Sequence, residues 1–503
     1  MKTRFLATAF AVYALLAAAG LAAGSSGAWH KDPDLALDVT TIQSIVSQLI
    51  APDTTLGDSD LTVAGVGTDP VGIDDSLTNP PPDPVDDPPP LQPFVVDNTP
   101  LDGDCPQAQY VSIQAAINAS GPNDTVIVCP GTYPEQVRID GHVHDGLKLE
   151  SLKPLQATIQ WPPSESPPLA LVDFHNADHV TLRGFVVSGP FTFPACSPER
   201  HEGILVENAF DEHIHHNHVT LIRNSDPALF GCQEGDAVAI GHRISVPGNL
   251  CFGTVPGSAR LDHNLIDEYQ KNGVQVFNAG TTARVDHNVI TGSTAVQANI
   301  ASNGVVVLCH AAATVDHNSI SNHHFTGTFT VASSGGVILD MAPPATSDVD
   351  HNQIFDNDYG VETDTQENAE ISHNDVYQHT QDGLILCGDP SQDCGPATRL
   401  VVRSNNVYNN RGSGITLMGA DANLIKSNKV QNNGTELGDT TDGLRVDSGS
   451  ANNQILNNMM AGNVTHDCHD DSAGSGTAGT ANTWQNDQGQ TENRPGLCKG
   501  ATP

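Results

Sequence analysis

Short segments in which apolar and polar residues alternate recur along most of the chain, and each ends at an asparagine. Ala283–Asn288 and Glu370–Asn374 are two examples. Alternation with a period of two predicts β-strands with one buried face. From position 264 onward the asparagine returns at intervals of 22 to 34 residues, which suit a coil with loops of variable length better than a helical repeat. The asparagines are Asn217, Asn264, Asn288, Asn318, Asn352, Asn374, Asn405, Asn428 and Asn458.

A second marker, a glycine followed by alternating apolar residues, predicts another strand between the asparagines. From each glycine to the next asparagine there are 14 to 16 residues, except for 22 from Gly383 to Asn405. Most of the length variation therefore falls on one edge of each coil. Because asparagine tolerates the left-handed backbone conformation, we expect each asparagine to turn the chain sharply between two strands. The marker glycines are Gly203, Gly273, Gly304, Gly336, Gly360, Gly383, Gly414 and Gly443.

On these markers the chain resembles the right-handed parallel β-helix family, which includes pectate lyases, polygalacturonases, mannuronan epimerases and NosD-like periplasmic proteins. The resemblance spans about residues 104 to 458 and implies an all-β solenoid of stacked coils. The start of this region is also similar, because Ser112–Asn118 predicts a short amphipathic helix that plugs the open first coil and Asp124–Tyr133 predicts the first strands. The same fold has many activities, so the resemblance does not identify one.

The sequence predicts four segments. Residues 1–28 resemble a signal peptide, with a charged start and an apolar run from Phe5 to Ala23. Residues 29–100 are predicted to be an acidic, proline-rich and mostly disordered linker, residues 101–465 the right-handed parallel β-helix, and residues 466–503 a C-terminal capping segment. No later stretch approaches the roughly 20 continuous apolar residues that a membrane-spanning helix requires. We therefore expect an exported monomer, secreted or in the cell envelope, without a membrane span.

Ten cysteines in an exported chain favour disulfides, and none has the Cys-x-x-Cys spacing of a zinc site. Cys387 and Cys394 flank the insertion that lengthens one coil and predict a local crosslink. Cys105–Cys129 would join the plug helix to the first strand, and Cys468–Cys498 would close the last segment. The pairing of Cys196, Cys232, Cys251 and Cys309 stays open.

The formal charge of -38, from 59 acidic and 21 basic residues, restricts the partners. Nucleic acid is a poor partner because phosphate binding needs clustered lysines and arginines. An acidic polysaccharide would need a bridging cation, and the resemblance to calcium-dependent lyases implies Ca²⁺ held by carboxylates. For most of the charge, solubility of an exported protein is the simpler explanation.

A histidine stands immediately before each of the first six asparagines, often next to an aspartate. Two adjacent histidines with an aspartate could bind a transition metal. A uniform column contains no single site, however, and Ser404, Ser427 and Asn457 take the same position further along. We therefore predict a structural ladder in which imidazoles form hydrogen bonds near the turn. The histidines are His216, His263, His287, His317, His351 and His373.

The strand after each marker glycine predicts the candidate site. If the residues one and three positions after glycine point inward, those two and four positions after it face out. This places Asp340, Glu362 and Asp364 together on two adjacent coils, as catalytic carboxylates, with Asp340 and Asp364 as ligands of Ca²⁺. The resemblance places the active groove of related enzymes on this strand. The predicted frame of a sugar-sized groove is Tyr359, His310, Ile338 and Ile385.

A second candidate groove lies in the N-terminal half, with Glu202, Glu207 and Asp236. Its walls would be the longer insertions at residues 191–201 and 224–235 and the loop 245–258. The acidic cluster around Asp364 has no basic pair beside it of the kind that lyases use, and Arg445 with Asp447 lies three coils further on.

Two functions remain open. The first is an exported enzyme, a lyase, hydrolase or epimerase of acidic polysaccharide. The second is a non-catalytic surface module that adheres to polysaccharide or to a cell envelope, with the linker as its stalk. Both would bind sugar.

Overall fold

The computed structural model describes residues 93–99, 105–163, 168–197, 201–242, 251, 255–327, 334–340, 346–392, 394–435 and 441–499. These residues belong to one compact unit that includes Leu91–Pro503, while a second unit, Ala19–Pro90, lies outside the described residues. The predicted signal peptide and all but the last residues of the predicted linker also lie outside them.

Three parallel sheets contain all the strands that the structure describes. Sheet A has 14 strands: β1 (Phe94–Val96), β2 (Thr125–Val128), β5 (Lys148–Ser151), β8 (Thr181–Arg183), β11 (Glu212–His215), β14 (Ser258–Asp262), β17 (Thr282–Asp286), β20 (Ala312–Asp316), β23 (Asp348–Asp350), β26 (Glu370–Ser372), β29 (Val401–Arg403), β32 (Leu424–Lys426), β35 (Gln454–Leu456) and β38 (Thr483–Gln485). Sheet B has 12: β3 (Gly131–Tyr133), β6 (Ala157–Gln160), β9 (Phe185–Ser188), β12 (His218–Thr220), β15 (Leu265–Asp267), β18 (Val289–Thr291), β21 (Ser319–Ser321), β24 (Gln353–Phe355), β27 (Asp375–Tyr377), β30 (Asn406–Tyr408), β33 (Lys429–Gln431) and β36 (Met459–Ala461). Sheet C has 12: β4 (Val137–Asp140), β7 (Ala170–His175), β10 (Glu202–Glu207), β13 (Asp236–Ile240), β16 (Asn272–Phe277), β19 (Asn303–Leu308), β22 (Gly335–Asp340), β25 (Tyr359–Asp364), β28 (Leu384–Cys387), β31 (Ile415–Met418), β34 (Leu444–Val446) and β37 (Cys468–Asp470).

The chain visits sheets C, A and B in turn, and each visit to all three makes one coil. For example, β16, β17 and β18 form one coil, and β19 then pairs with β16 in parallel, one coil further on. This is the right-handed parallel β-helix that the sequence predicts. Inward valines stack in register, as Val274, Val305 and Val337 do in sheet C, and belong to one continuous core that runs through the described coils. Branched side chains suit such a stack because they pack well on a pleated surface.

The turn from sheet A to sheet B differs from the prediction. The left-handed residue is the one before each asparagine, with φ between 53° and 57°, and not the asparagine itself. Histidine is several-fold enriched in this conformation, as are asparagine and aspartate. The histidine column is therefore the column of turn residues: His216, His263, His287, His317, His351, His373 and, in the same position, Ser404, Ser427 and Asn457.

The asparagines form a buried hydrogen-bonded ladder. The Oδ1 atom of Asn318 accepts from the backbone N–H of Asn288 at 2.9 Å and from its Nδ2 at 3.0 Å, and every later rung repeats this pattern. Each Nδ2 also donates to a backbone carbonyl, such as Val285 O at 2.7 Å from Asn318. The ladder ends at Asp487, whose Oδ1 accepts both bonds from Asn458. The buried polar groups of this corner are thereby paired, as a dry interior requires.

Two further ladders stand five residues before and five residues after the first one in the C-terminal coils. One consists of Asn423, Asn453 and Asn482, and the other of Asn410, Asn433 and Asn463. In these coils an asparagine ladder lies at each of three corners. The five-residue spacing between the asparagines of one coil is visible in the sequence.

The first coil is closed by the predicted plug helix, α1 (Ile113–Ala119). Ser112 caps it, and the Glu135 carboxylate accepts from the N–H groups of Ile113 and Gln114 at 2.8 and 3.0 Å. At the other end β37 and β38 continue sheets C and A beyond residue 465, and the nearly buried Trp484 donates from Nε1 to Asp470 Oδ2 at 2.8 Å. No helix among the described residues is both long and apolar enough to cross a bilayer.

Five disulfides join all ten cysteines. Cys105–Cys129, Cys387–Cys394 and Cys468–Cys498 are the pairs that the sequence predicts. The pairs left open are Cys196–Cys232, which joins two insertions, and Cys251–Cys309, which fixes a loop at the end of β19. Such a set of disulfides is typical of an oxidising compartment. Four short 3₁₀ segments complete the described structure: His142–His144, Pro227–Leu229, Pro390–Gln392 and Thr477–Gly479.

Candidate functional site

The outer face of sheet C presents three columns of side chains, because residues one and three positions after each marker glycine are in the core. The start column includes Ala170, Glu202, Asp236, Asn272, Asn303, Gly335 and Tyr359. The middle column is Asp173, Leu205, Ala239, Gln275, Val306, Ile338, Glu362, Ile385, Thr416, Arg445 and His469. The end column includes His175, Glu207, Phe277, Leu308, Asp340, Asp364, Cys387 and Met418.

The structure puts the three carboxylates predicted as the site on neighbouring strands. Asp340 and Asp364 are register partners on β22 and β25, and both are half-buried. Glu362 stands in the middle column between Ile338 and Ile385 and is only 6% exposed. Ile338, Ile385 and the buried Tyr359 form an apolar cluster on this outer face, and His310 is exposed just beyond β19.

Calcium at Asp340 and Asp364 is supported by ligand type only. Carboxylate oxygens are the ligands that Ca²⁺ prefers. Asp364 Oδ1, however, accepts from the backbone N–H of Gly395 at 3.2 Å and from the Thr365 hydroxyl at 2.9 Å. Several groups of described residues have ligand atoms that all lie within 4.8 Å of one another, and the set of Asp340, Glu362 and Asp364 is not among them. A calcium ion here stays a proposal.

The second predicted groove consists of three acidic residues, and the structure separates one of them, Glu207, from the other two. Glu202 and Asp236 are register partners in the buried start column, where Asp236 Oδ1 accepts from Asn272 Nδ2 at 2.7 Å. Glu207 lies at the other end of β10, in the end column. The disulfide Cys196–Cys232 joins two of the predicted walls, and most of the third, the loop 245–258, lies outside the described residues.

Glu207 is the centre of a compact set of ionisable side chains that we call the N-terminal cluster: Arg138, Asp173, His175, Glu207 and His242. The two oxygens of the Glu207 carboxylate accept from two imidazoles, His175 Nδ1 at 2.8 Å and His242 Nδ1 at 2.6 Å. One ligand atom from each of Asp173, His175 and Glu207 lies within 4.8 Å of the others. Arg138 approaches Asp173 from β4, with 3.3 Å between NH1 and Oδ2. The arrangement holds both imidazoles with Nδ1 protonated, so Nε2 of each is the basic nitrogen.

The two carboxyl groups of this cluster have different affinities for protons. Burial, and then the charge of Glu207, raises the pKa of Asp173 to about 6. Burial also raises the pKa of Glu207, but hydrogen bonds from His242 and His175 outweigh it and hold that pKa below its usual value. Asp173 Oδ1 is buried without a hydrogen-bond partner among the residues that the structure describes. The two neighbouring carboxyl groups therefore bind protons in different pH ranges, Asp173 around pH 6 and Glu207 below its usual range.

A second ionic set, the C-terminal cluster, lies at the opposite end of the same face and consists of Asp442, Arg445, His466, His469 and Asp471. Asp442 accepts from Arg445 Nη1 at 2.9 Å and from His466 Nδ1 at 3.0 Å, and His469 Nδ1 lies 3.2 Å from its Oδ2. Burial lowers the pKa of His469, but hydrogen bonds to Asp442 and Asp471 outweigh it and raise that pKa above its usual value. Arg445 and His469 are thus adjacent basic side chains in the middle column.

Other groups of potential metal ligands lie away from the outer face of sheet C. Two are at the ends of the histidine column, and a third adjoins the 3₁₀ segment His142–His144. They are His213, His215 and Asp262; Asp350, His351 and His373; and His142, Asp145 and Asp178. The cavities on sheets A and B are shallow, and the one of about 470 Å³ is lined by Phe355, Asp356, Gln378, Asn409 and Arg411.

Sequence reasoning missed Arg138, Asp173, His175 and His242. The strand Ala170–His175 has no marker glycine, although the alternation of Val172 and Phe174 with Asp173 and His175 already predicts an outward Asp-x-His pair. His242 lies 35 residues from Glu207 in a variable loop, and no spacing rule connects them.

Comparison with known proteins gives one family match and remote structural likenesses. The family described as "Right handed beta helix region" matches residues 254–460. No curated protein matches the sequence.

Three solved structures illustrate the likeness. The mannuronan C-5 epimerase A-module AlgE6 of Azotobacter vinelandii is 14% identical, with a TM-score of 0.41 over 78% of this chain and 94% of that one. The periplasmic alginate epimerase AlgG is 11% identical, with a TM-score of 0.36 over 68% and 72%. The Agl-KA catalytic domain is 12% identical, with a TM-score of 0.47 over 68% and 61%.

Proposed function

Because the chain is a right-handed parallel β-helix protein, we propose that it acts on an acidic polysaccharide bound along the outer face of sheet C, through acid–base chemistry at the N-terminal cluster. Twelve stacked strands at about 4.8 Å each give this face a length of roughly 50 Å, enough for several sugar units. The observation that supports a reaction is the Glu207 carboxylate hydrogen-bonded to two histidines beside Asp173.

The chemistry we propose is abstraction of the proton on the carbon next to a uronate carboxylate. The Nε2 atom of His175 or His242 takes this proton, and Glu207 stabilises the resulting imidazolium through Nδ1. Arg138, whose side chain is 42% exposed, pairs with the sugar carboxylate and makes that proton more acidic. Glu207 acts through the histidines and is a positioning residue.

Asp173 is the proton donor in this scheme. Since its pKa is raised to about 6, a substantial fraction is protonated in mildly acidic solution. Donation to the carbanion from the other face of the ring inverts the centre, which is epimerisation. Donation to the departing glycosidic oxygen breaks the chain and leaves an unsaturated uronate, which is elimination. The protein takes one proton and returns one in either case.

The other two clusters of the outer face are proposed to bind the rest of the sugar chain. Arg445 and His469 offer basic side chains to a second uronate, which matters in a protein of formal charge -38. Asp340, Glu362 and Asp364 would contact the chain directly or through Ca²⁺, with Ile338, Tyr359 and Ile385 as the apolar part of the groove. Export, with cleavage of the segment 1–28, is part of the proposal and is supported by the five disulfides.

A substrate screen tests the proposal. The secreted protein is incubated with uronate and neutral polysaccharides, with and without a calcium chelator, and unsaturated ends and reducing ends are measured separately. We expect turnover of a uronate polymer that Glu207→Gln lowers at least about 100-fold in kcat with little change in KM. His287→Gln is the matched control, because His287 also hydrogen-bonds to a carboxylate but lies at the turn between sheets A and B, away from sheet C. Binding without turnover would instead identify the non-catalytic module.

A further inference from the structure

Two histidines at the start of the histidine column are not explained by the turn. His213 and His215 lie on β11 and face outward, since Ile214 between them is in the core. In register on the next strand of sheet A are Arg260 and Asp262. The turn conformation and the ladder of stacked rings account for His216 but do not account for His213 and His215.

The side chains around these two histidines converge. His213 Nε2 lies 2.6 Å from Asp262 Oδ1, and Asp262 Oδ2 accepts from His263 Nδ1 at 2.9 Å. The rings of His213 and His215 stack, with 4.0 Å between centroids and 11° between planes. His215 Nδ1 is 2.9 Å from His216 Nδ1.

The distances between potential ligand atoms are short enough for one ion. One ligand atom from each of His213, His215 and Asp262 lies within 4.8 Å of the others. Successive rings within the column, such as His263 and His287, are likewise parallel, with centroids 5.1 Å apart. Metal–nitrogen bonds are about 2.0–2.1 Å, so any two of these stacked rings, His213 and His215 included, must rotate relative to each other to bind one ion.

The electrostatic surroundings are compatible with a cation. Burial, and then the neighbouring His213, lowers the pKa of His215 to about 4, and burial also lowers the pKa of His216. Neutral imidazole is the form that binds metal ions. Burial raises the pKa of Asp262, but hydrogen bonds from His263 and His213 outweigh it and keep that pKa below its usual value.

Two arginines flank the cluster and compete with a cation. Arg260 Nε lies 3.2 Å from Asp262 Oδ1, but the same guanidinium also donates to both oxygens of Asp286 at 3.1 Å. An ion at Asp262 would therefore leave Arg260 with a carboxylate partner. Arg183 is the register partner of His215 on β8.

We propose that His213, His215 and Asp262 bind one divalent transition metal ion, with His216 positioned to supply a fourth ligand. Imidazole nitrogens with one carboxylate suit Zn²⁺, Cu²⁺ or Ni²⁺, whereas Ca²⁺ and Mg²⁺ prefer oxygen ligands. The site lies at the corner between sheets A and B, so it is independent of the acid–base chemistry proposed for sheet C.

Calorimetry with the full chain, produced without a histidine tag and stripped with a chelator, tests the site. Zn²⁺ and Cu²⁺ are titrated into the wild type and into the double variant His213→Gln with His215→Gln. We expect one tight site in the wild type and a loss of affinity above about 100-fold in the variant, because even loss of an outer partner of a metal ligand costs about 10–100-fold. The control is His287→Gln with His317→Gln, two column histidines with the same kind of aspartate partner, which should keep the site.

Three results would overturn the proposal: no tight ion in the wild type, unchanged binding in the His213 and His215 variant, or loss of binding in the control. A second measurement guards against misfolding. Circular dichroism must match the wild type, and the electron paramagnetic resonance spectrum of bound Cu²⁺ must lose the coupling to one nitrogen in the single variant His215→Gln. An unchanged spectrum would count against the assignment.

Discussion

Asp173 and Glu207 lie on neighbouring strands of sheet C, yet burial raises the pKa of Asp173 to about 6 while two imidazoles hold the pKa of Glu207 below its usual value. Each effect has a visible cause, since Asp173 Oδ1 has no hydrogen-bond partner among the described residues and both oxygens of Glu207 accept one. Pairs of groups whose pKa values are driven apart are typical of acid–base sites.

The raised pKa of Asp173 predicts a pH dependence of stability. The folded state binds a proton more tightly than the unfolded chain, so this contribution is complete below about pH 4 and is lost as the pH rises through about 6. The loss should reach at most about 3 kcal/mol. In Asp173→Asn the side chain is always neutral, so we expect the variant to gain stability relative to the wild type above pH 6. Unfolding midpoints across this range measure the difference, and parallel curves for both proteins would contradict it.

The asparagine ladder should be the most sensitive part of the coil. Asn318→Ala removes the acceptor for two N–H groups of Asn288 and the donor to Val285 O, all buried. Unpaired buried groups cost about 1–3 kcal/mol each, so we expect a loss of roughly 3–5 kcal/mol in denaturant unfolding. His317→Ala, next to it and about half exposed, should cost far less. Equal losses would show that the ladder adds no special stability.

The left-handed turn predicts an unusual order of substitutions at His317, whose φ is 57°. Glycine adopts this conformation freely, whereas other side chains lose about 1–2 kcal/mol and β-branched ones fit worst. We expect His317→Gly to be at least as stable as His317→Ala and His317→Val to be clearly less stable. The thermal unfolding midpoints of the three variants test this order of stability. A valine variant as stable as the glycine variant would refute the turn assignment.

We expect Ca²⁺ to stabilise this face by binding between Asp340 and Asp364. Two carboxylates in register one strand apart repel each other, and a cation between them relieves the repulsion. Added Ca²⁺ should raise the unfolding temperature of the wild type but not that of Asp340→Asn with Asp364→Asn, while Asp447→Asn should respond like the wild type. A shift that survives in the double variant would place the ion elsewhere.

The sequence predicts the coil well because each stacked strand requires inward and outward residues to alternate with a period of two. The alternation after each glycine correctly separates the inward Val305 from the outward Val306, and hence places Asp340 and Asp364 side by side. It misplaces the left-handed residue by one position, since both histidine and asparagine accept that conformation and spacing alone does not distinguish them.

The N-terminal cluster was only partly predictable. Glu207 is visible from the pattern, but its partner His242 comes from a loop whose path depends on tertiary contacts. The pKa of Asp173 depends on burial and on the charge of Glu207 one strand away, which no local pattern contains. The pairing Cys251–Cys309 likewise depends on loop position and not on spacing.

Proton abstraction from a uronate is the reaction that we propose for the N-terminal cluster. Deuterium exchange at the abstracted position measures this reaction. The protein is incubated with a uronate polymer in deuterated water, and nuclear magnetic resonance follows the signal of the proton next to the carboxylate. We expect the wild type to replace this proton with deuterium or remove it by elimination, and both His175→Ala and Glu207→Gln to slow its loss at least about 100-fold. Loss at the wild-type rate in these variants, or no loss with any uronate polymer that the wild type binds, would contradict the account.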